Sequence, residues 1–208
     1  MYDEKRALLI VDVQNDFCPG GALPVSNGDE VVPIINRIIN SFDVVVATQD
    51  WHPQDHISFA SNHSGKNPFD QIDIKGTMQT LWPDHCVAGS PGADFHPSLN
   101  TMHIQSIIRK GASSGMDSYS AFLENDRITP TGLEGYLKNL GINTIYLCGL
   151  ATDYCVFFSA IDGLSLGFIT KVILDACRGI DIPPGSMQQK IDEMIRKGIE
   201  PVESGKIG

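Results

Sequence analysis

The sequence predicts an α/β domain whose parallel sheet is covered by helices on both faces. Short apolar runs rich in β-branched residues alternate with amphipathic stretches of helical period. Apolar runs of that kind suit strands buried on both sides. Strands separated by helices pair in parallel, because each helix carries the chain back to the edge it left. The scale fits as well: 208 residues, 42% hydrophobic and 19% charged, can bury a sizeable core within one domain, 1–208.

The expected strands are 7–13, 44–48, 104–110, 144–148 and 168–174, with a short edge strand near 199–203. Between the first two, Val31, Ile34, Ile35, Ile38 and Phe42 share one helical face. Thr131-Gly132-Leu133-Glu134 has the form of a capping box, and Gly141 ends the helix it would open. The helix 153–166 is apolar almost all round and should be buried. The amphipathic 183–197 stops at Gly198. The exception is 51–103, rich in His, Pro, Asn, Gly and Asp and with little periodicity. A loop of that length inside a compact domain is expected to carry function.

Bulk properties exclude several roles. The net charge of −10 disfavours phosphate backbones and anionic membranes, so neither nucleic acid nor a bilayer is an expected partner. Charges, glycines or prolines interrupt every apolar run well short of a membrane span of ~20 residues. Ala7 to Val11 is too short for the core of a signal peptide and reads as a strand. Five scattered cysteines, an odd number, imply reduced thiols and a cytoplasmic setting.

Open parallel sheets bind ligands beyond the carboxyl ends of their strands. Four expected strand ends deliver Asp12, Asp50-Trp51-His52, Lys110 and the segment Gly149 to Cys155 to that rim. Cys155 falls in a first helical turn, where free N–H groups and a nearby lysine would favour its thiolate and hold an oxyanion. Set against that, a buried cysteine is commonly a small hydrophobe. Asp12 would be a base and Lys110 a charge stabiliser, although each alone reads more readily as a turn residue or a solvated strand end. Asp50 and His52, two apart in extended chain, point to one side and suit zinc, iron or manganese. A third ligand should come from the long loop, among His56, His63, His85, His96 and His103.

These residues sit in a run of motifs: Ile10 to Phe17, Gly20 to Val25, Thr48 to Pro53, His56 to Ala60, Trp82-Pro83-Asp84-His85-Cys86, Lys110-Gly111, Asp117 to Ser120 and Gly149 to Cys155. In that order, over nearly the whole chain, they resemble the isochorismatase-like cysteine hydrolases, and within them the enzymes that deamidate nicotinamide. The resemblance implies a three-layer αβα sandwich with a six-stranded, mainly parallel, doubly wound sheet in the order 3-2-1-4-5-6. It implies Asp12, Lys110 and Cys155 as catalytic residues, and Asp50, His52 and His85 as ligands of one divalent metal, zinc before iron or manganese. Ser58 would reach the metal through water, with His56 the alternative. Phe17 and Trp82 would flank a pyridine ring, and Leu23 and Tyr119 would line its pocket. A cis Leu150–Ala151 peptide would turn the Ala151 N–H, with that of Cys155, into an oxyanion hole. The implied partner is a small carboxamide substrate, nicotinamide, and relatives range from monomers to homo-oligomers. Three other readings share the fold: an amidase of carbamoyl or ureido compounds, which needs the catalytic residues but not the metal ligands; isochorismatase, which needs no thiol; and a metal- or ligand-binding protein without catalysis.

Overall fold

The computed structural model describes residues 5–74 and 76–208. In chain order the elements are β1 (Arg6–Val11), α1 (Val31–Ile38), β2 (Val44–Asp50), β3 (Gln71–Ile74), β4 (Thr77–Thr80), β5 (Ser106–Lys110), α2 (Leu133–Asn139), β6 (Thr144–Leu150), α3 (Phe157–Ser165), β7 (Ile169–Arg178), α4 (Ser186–Lys197) and β8 (Glu200–Val202). Six strands form one sheet in the order β5-β2-β1-β6-β7-β8, and every pair is parallel. Counting sheet strands alone, this is the expected 3-2-1-4-5-6.

The central strands show why the chain folds this way. All of β6 is buried, as is β1 beyond Arg6, so helices and loops cover both faces of the sheet there. Leu8, Leu9 and Ile10 are fully excluded from solvent, and each contributes roughly 1.5–3 kcal/mol by burial. The edge strand β5 alternates instead, with Ile107 and Arg109 exposed. Order reverses between β1 and β6, and the crevice at that switch point is where the carboxyl ends of neighbouring strands diverge.

Several local expectations change. The first strand ends at Val11, not Val13, because Asp12 turns out of the sheet with φ of 49°. The reciprocal capping box does not form: Gly132 occupies the cap with φ of 95°, while Thr131 Oγ1 accepts from the Leu133 N–H (3.3 Å) and donates to the Ala121 carbonyl. Glu134 pairs with Lys138 one turn on. The buried helix opens with a π-helical turn over Thr152–Val156 before α3. The long loop holds the antiparallel hairpin β3–β4, which its weak periodicity concealed. Among the described residues no helix is long and apolar enough to cross a membrane. All five cysteines are free and buried.

Candidate active site

Four strand ends build the site, each by a local device. Asp12 follows β1 and is held by Thr48 of β2, whose Oγ1 accepts from the Asp12 N–H (3.1 Å) and donates to Oδ1 (2.5 Å). Asp50 ends β2, and its backbone is bracketed by the Gln14 amide, which accepts from the Asp50 N–H (2.8 Å) and donates to its carbonyl (2.9 Å). Lys110 ends β5, opposite Asp50 in register. Cys155 stands in the π turn after β6, beyond the cis Leu150–Ala151 peptide.

The side chains converge. Lys110 is wholly buried, and its Nζ lies 2.8 Å from Asp12 Oδ2, against Asp50 Oδ1, 3.0 Å from the Ser118 carbonyl and 3.4 Å from Cys155 Sγ. Asp12, Asp50 and Cys155 bring an oxygen or sulfur within 4.8 Å of one another. A buried ammonium is tolerable only where carboxylates neutralise it, and here two do. Burial works against the Lys110 charge, but Asp12 and Asp50 outweigh it and hold the amine protonated well above its usual range. The Asp50 carboxyl is likewise pushed up by burial but pulled well down by Lys110. Asp12, fully enclosed, is raised by burial despite Lys110.

Cys155 departs from expectation. Burial raises its thiol well above the ordinary value and overrides the pull of Lys110, while Asp12 and Asp50 raise it further. A thiol in this setting rests protonated and needs a base at the moment of attack. An Asp12 carboxylate oxygen lies within 4.8 Å of the sulfur.

Asp50 divides its oxygens. Oδ1 faces Lys110, whereas Oδ2 lies 3.6 Å from His52 Nε2 and 3.8 Å from His85 Nε2. The far nitrogen of each ring sits 2.8 Å from a carbonyl, Gly111 for His52 and Pro83 for His85. These contacts place the proton on Nδ1 and leave both Nε2 lone pairs facing Oδ2, the arrangement that orients imidazoles on a metal. The three residues fit one divalent metal, and all three are buried. Gly111 is required here: its φ is 61°, and a Cβ would run into the His52 ring. His56, the alternative, stacks on His52 with ring centroids 4.1 Å apart. Both of its nitrogens are occupied, Nδ1 by Ser58 Oγ at 2.7 Å and Nε2 by the Met116 carbonyl at 3.1 Å. Ser58 Oγ thus steadies the His56 ring and keeps a lone pair for a water.

A cleft opens above Cys155, lined by Phe17, Leu23, Trp82, Tyr119 and Cys155, with Asp50 and His85 also on its wall. Tyr119 Oη accepts from Trp82 Nε1 at 3.2 Å. The four expected lining residues thus meet at one place. Asp117, Tyr154 and Ile180 also line it. Asp117 and Tyr154 lie inside motifs already singled out but carried no assigned role. Ile180 follows β7 in a stretch with no signal of its own.

A doubly wound α/β sheet with a thiol, a buried lysine and two carboxylates at its switch point belongs to the class of small-molecule-binding α/β domains that ligate at strand ends. The model of the isochorismatase domain matches residues 6–204, and the chain belongs to the isochorismatase family. It is 52% identical over 201 residues to the nicotinamidase of Acinetobacter baylyi, covering 97% of this chain and 94% of the relative. It is 46% identical to that of Escherichia coli, covering 93% and 92%. Among solved structures, the nicotinamidase/pyrazinamidase of Acinetobacter baumanii superposes with a TM-score of 0.96 at 49% identity, covering all of both chains. The pyrazinamidase of Pyrococcus horikoshii, in complex with zinc, gives 0.79 at 36% identity over 96% of this chain and 99% of that one.

Proposed function

We propose that the chain is an amidohydrolase that converts nicotinamide to nicotinate and ammonia through a thioester on Cys155. One observation carries the reading: a buried thiol, a buried carboxyl of raised basicity and a buried ammonium meet beneath an aromatic-lined cleft whose wall includes Asp50 and His85, which with His52 form a trio able to hold a metal. The names of the similar enzymes support it.

The residues divide the work as follows. Phe17 and Trp82 sandwich the ring, with Leu23 and Tyr119 closing its sides, so the carboxamide is presented to Sγ rather than left to diffuse. Asp12 takes the Cys155 proton as the sulfur attacks the amide carbon. The N–H groups of Ala151 and Cys155 receive the oxyanion, each worth about 3–4 kcal/mol in the transition state. Asp12 returns the proton to the nitrogen, the C–N bond breaks, and ammonia leaves. Asp12 then accepts a proton from the water that attacks the thioester, which frees nicotinate and restores the thiol. Lys110 stays protonated and offsets the charge on Asp12 and Asp50. Asp50, His52 and His85 would hold a divalent ion, and the borderline donor set favours zinc, which when bound supplies a Lewis acid for the ring nitrogen. The free thiols suit a cytoplasmic enzyme.

The test is ammonia release from nicotinamide, with and without a chelator. Cys155→Ala should lose turnover by a factor of about 10⁴ or more while still binding nicotinamide. Full activity in that variant would end the thioester scheme. Turnover indifferent to removal of the metal, verified by elemental analysis, would favour instead an amidase of carbamoyl or ureido compounds.

A further inference from the structure

The mechanism leaves one buried carboxylate of the Gly149 to Cys155 motif unused. Asp153 is buried two residues before Cys155, and it points away from Lys110's cluster to the loop that follows β7. Its Oδ1 accepts from the Ile180 N–H at 2.9 Å, and its Oδ2 accepts from the Asp181 N–H at 2.8 Å. Both oxygens are therefore spent on two successive backbone amides. Ile180 is the loop residue whose side chain lines the cleft beside Tyr154 and Cys155.

Ile180 also packs against the hydrophobic core. Ile180 is half-buried and Ile182 is 52% exposed. Asp181 turns the chain with φ of 56° and uses its own Oδ1 to accept from the N–H groups of Gly185 (2.8 Å) and Met187 (3.0 Å), which anchors the start of α4. Gly179 allows the close approach, since a Cβ there would lie 3.0 Å from Asp153 Oδ1 and 2.5 Å from Met187 Sδ. The turn that carries the nucleophile thus also grips the wall facing it.

We propose that Asp153 is a positioning residue that sets the width of the carboxamide pocket by clamping Ile180 against the cleft, so that ring-substituted nicotinamides are excluded. This rests on the reaction proposed above. A carboxylate accepts at both oxygens, whereas the amide of Asn accepts at one. Asp153→Asn therefore keeps the shape but releases one of the two anchors. Asp153 touches no reacting atom, so its influence should pass through Ile180.

The experiment compares kcat and KM for nicotinamide and for a bulkier ring-substituted nicotinamide in wild type, Asp153→Asn, Ile180→Ala and the double variant. In Asp153→Asn the KM for nicotinamide should rise more than kcat falls. Its preference for nicotinamide over the bulkier amide should shrink by roughly 10-fold, the scale on which a loosened apolar pocket loses discrimination. Ile180→Ala should relax it likewise. The double variant should match Ile180→Ala alone, because two changes acting through one contact do not add. A purely structural Asp153 would lower activity toward both amides equally, and that result, or additive losses in the double variant, overturns the proposal. Should Asp153→Asn fail to fold, Ile180→Ala with unchanged preference overturns it on its own. A wild type that releases no ammonia from nicotinamide refutes the reaction itself, whereas normal wild-type turnover with unaltered preference in the variants refutes the clamp alone.

Discussion

At the residue scale the controlling fact is how few side chains hold so much buried charge. Lys110 is the single cation among Asp12, Asp50 and Cys155, and none of these is exposed by more than 7%. Replacing it by Met preserves volume but leaves two carboxylates facing each other without a counter-ion. We expect Lys110→Met to cost about 3–5 kcal/mol of stability, as other half-removed buried ion pairs do. Asp12 or Asp50 should then bind a proton at neutral pH, and activity should fall with it. Denaturant titration of the variant gives the first number, and an unchanged midpoint would mean that the pairing is energetically idle. The residue types were legible beforehand: a carboxylate, a lysine and a thiol after three predicted strands. Their protonation was not. The first-turn position of Cys155 argued for a thiolate, but its surroundings exclude water more thoroughly than sequence position can reveal, and burial decides the outcome.

At the element scale, strands with continuous apolar runs were readable and their ends were not. β6 runs on to Leu150 and β7 to Arg178, past the last residue of each apolar run, because neighbours across the sheet complete the hydrogen bonding. The β6–β7 register also shifts between Leu147 and Gly149, which no local pattern announces. Hairpin β3–β4 was not legible for a related reason: Gln71-Ile72-Asp73-Ile74 alternates over only 4 residues, and Thr77–Thr80 carries only an exposed Met78 among polar residues, too little apolar pattern to mark strands. Gly149 shows what the central strands demand. It has φ of 112°, and a Cβ would overlap the backbone of Val11 on the adjoining strand. We expect Gly149→Ala to destabilise by more than about 2 kcal/mol, from the unfavourable φ and the overlap together. A thermal midpoint within error of wild type would show that β1 and β6 can part without penalty.

At the scale of the whole molecule, burial of free thiols makes stability depend on alkaline pH. Burial pushes Cys177 up to about 12, from an ordinary 9.0. Cys148, also enclosed, is raised well above that value. The raised folded value means that the native state keeps a proton the unfolded chain gives up. The contribution is therefore intact below pH 9 and declines as pH rises toward 12, by about 1.4 kcal/mol per pH unit for each such thiol. Urea unfolding at pH 8 and at pH 10.5 should show the loss, and Cys177→Ala should reduce it. Equal slopes in the two proteins would remove Cys177 as the source. Composition announced the reduced thiols, but only the packed sheet shows which of them lie too deep to ionise.

The groups that meet at the crevice between β1 and β6, Asp12, Asp50, Lys110 and Cys155, are spread over about two thirds of the chain. During synthesis the amino-terminal strands emerge first, carrying the proposed base well before the proposed nucleophile. On the reaction proposed above, a growing chain lacks its catalytic thiol until residue 155 has left the ribosome, although Thr48 of β2 can already hold Asp12. Insertion of β6 beside β1 is the step that brings the two together, so the proposed activity cannot precede closure of the central sheet.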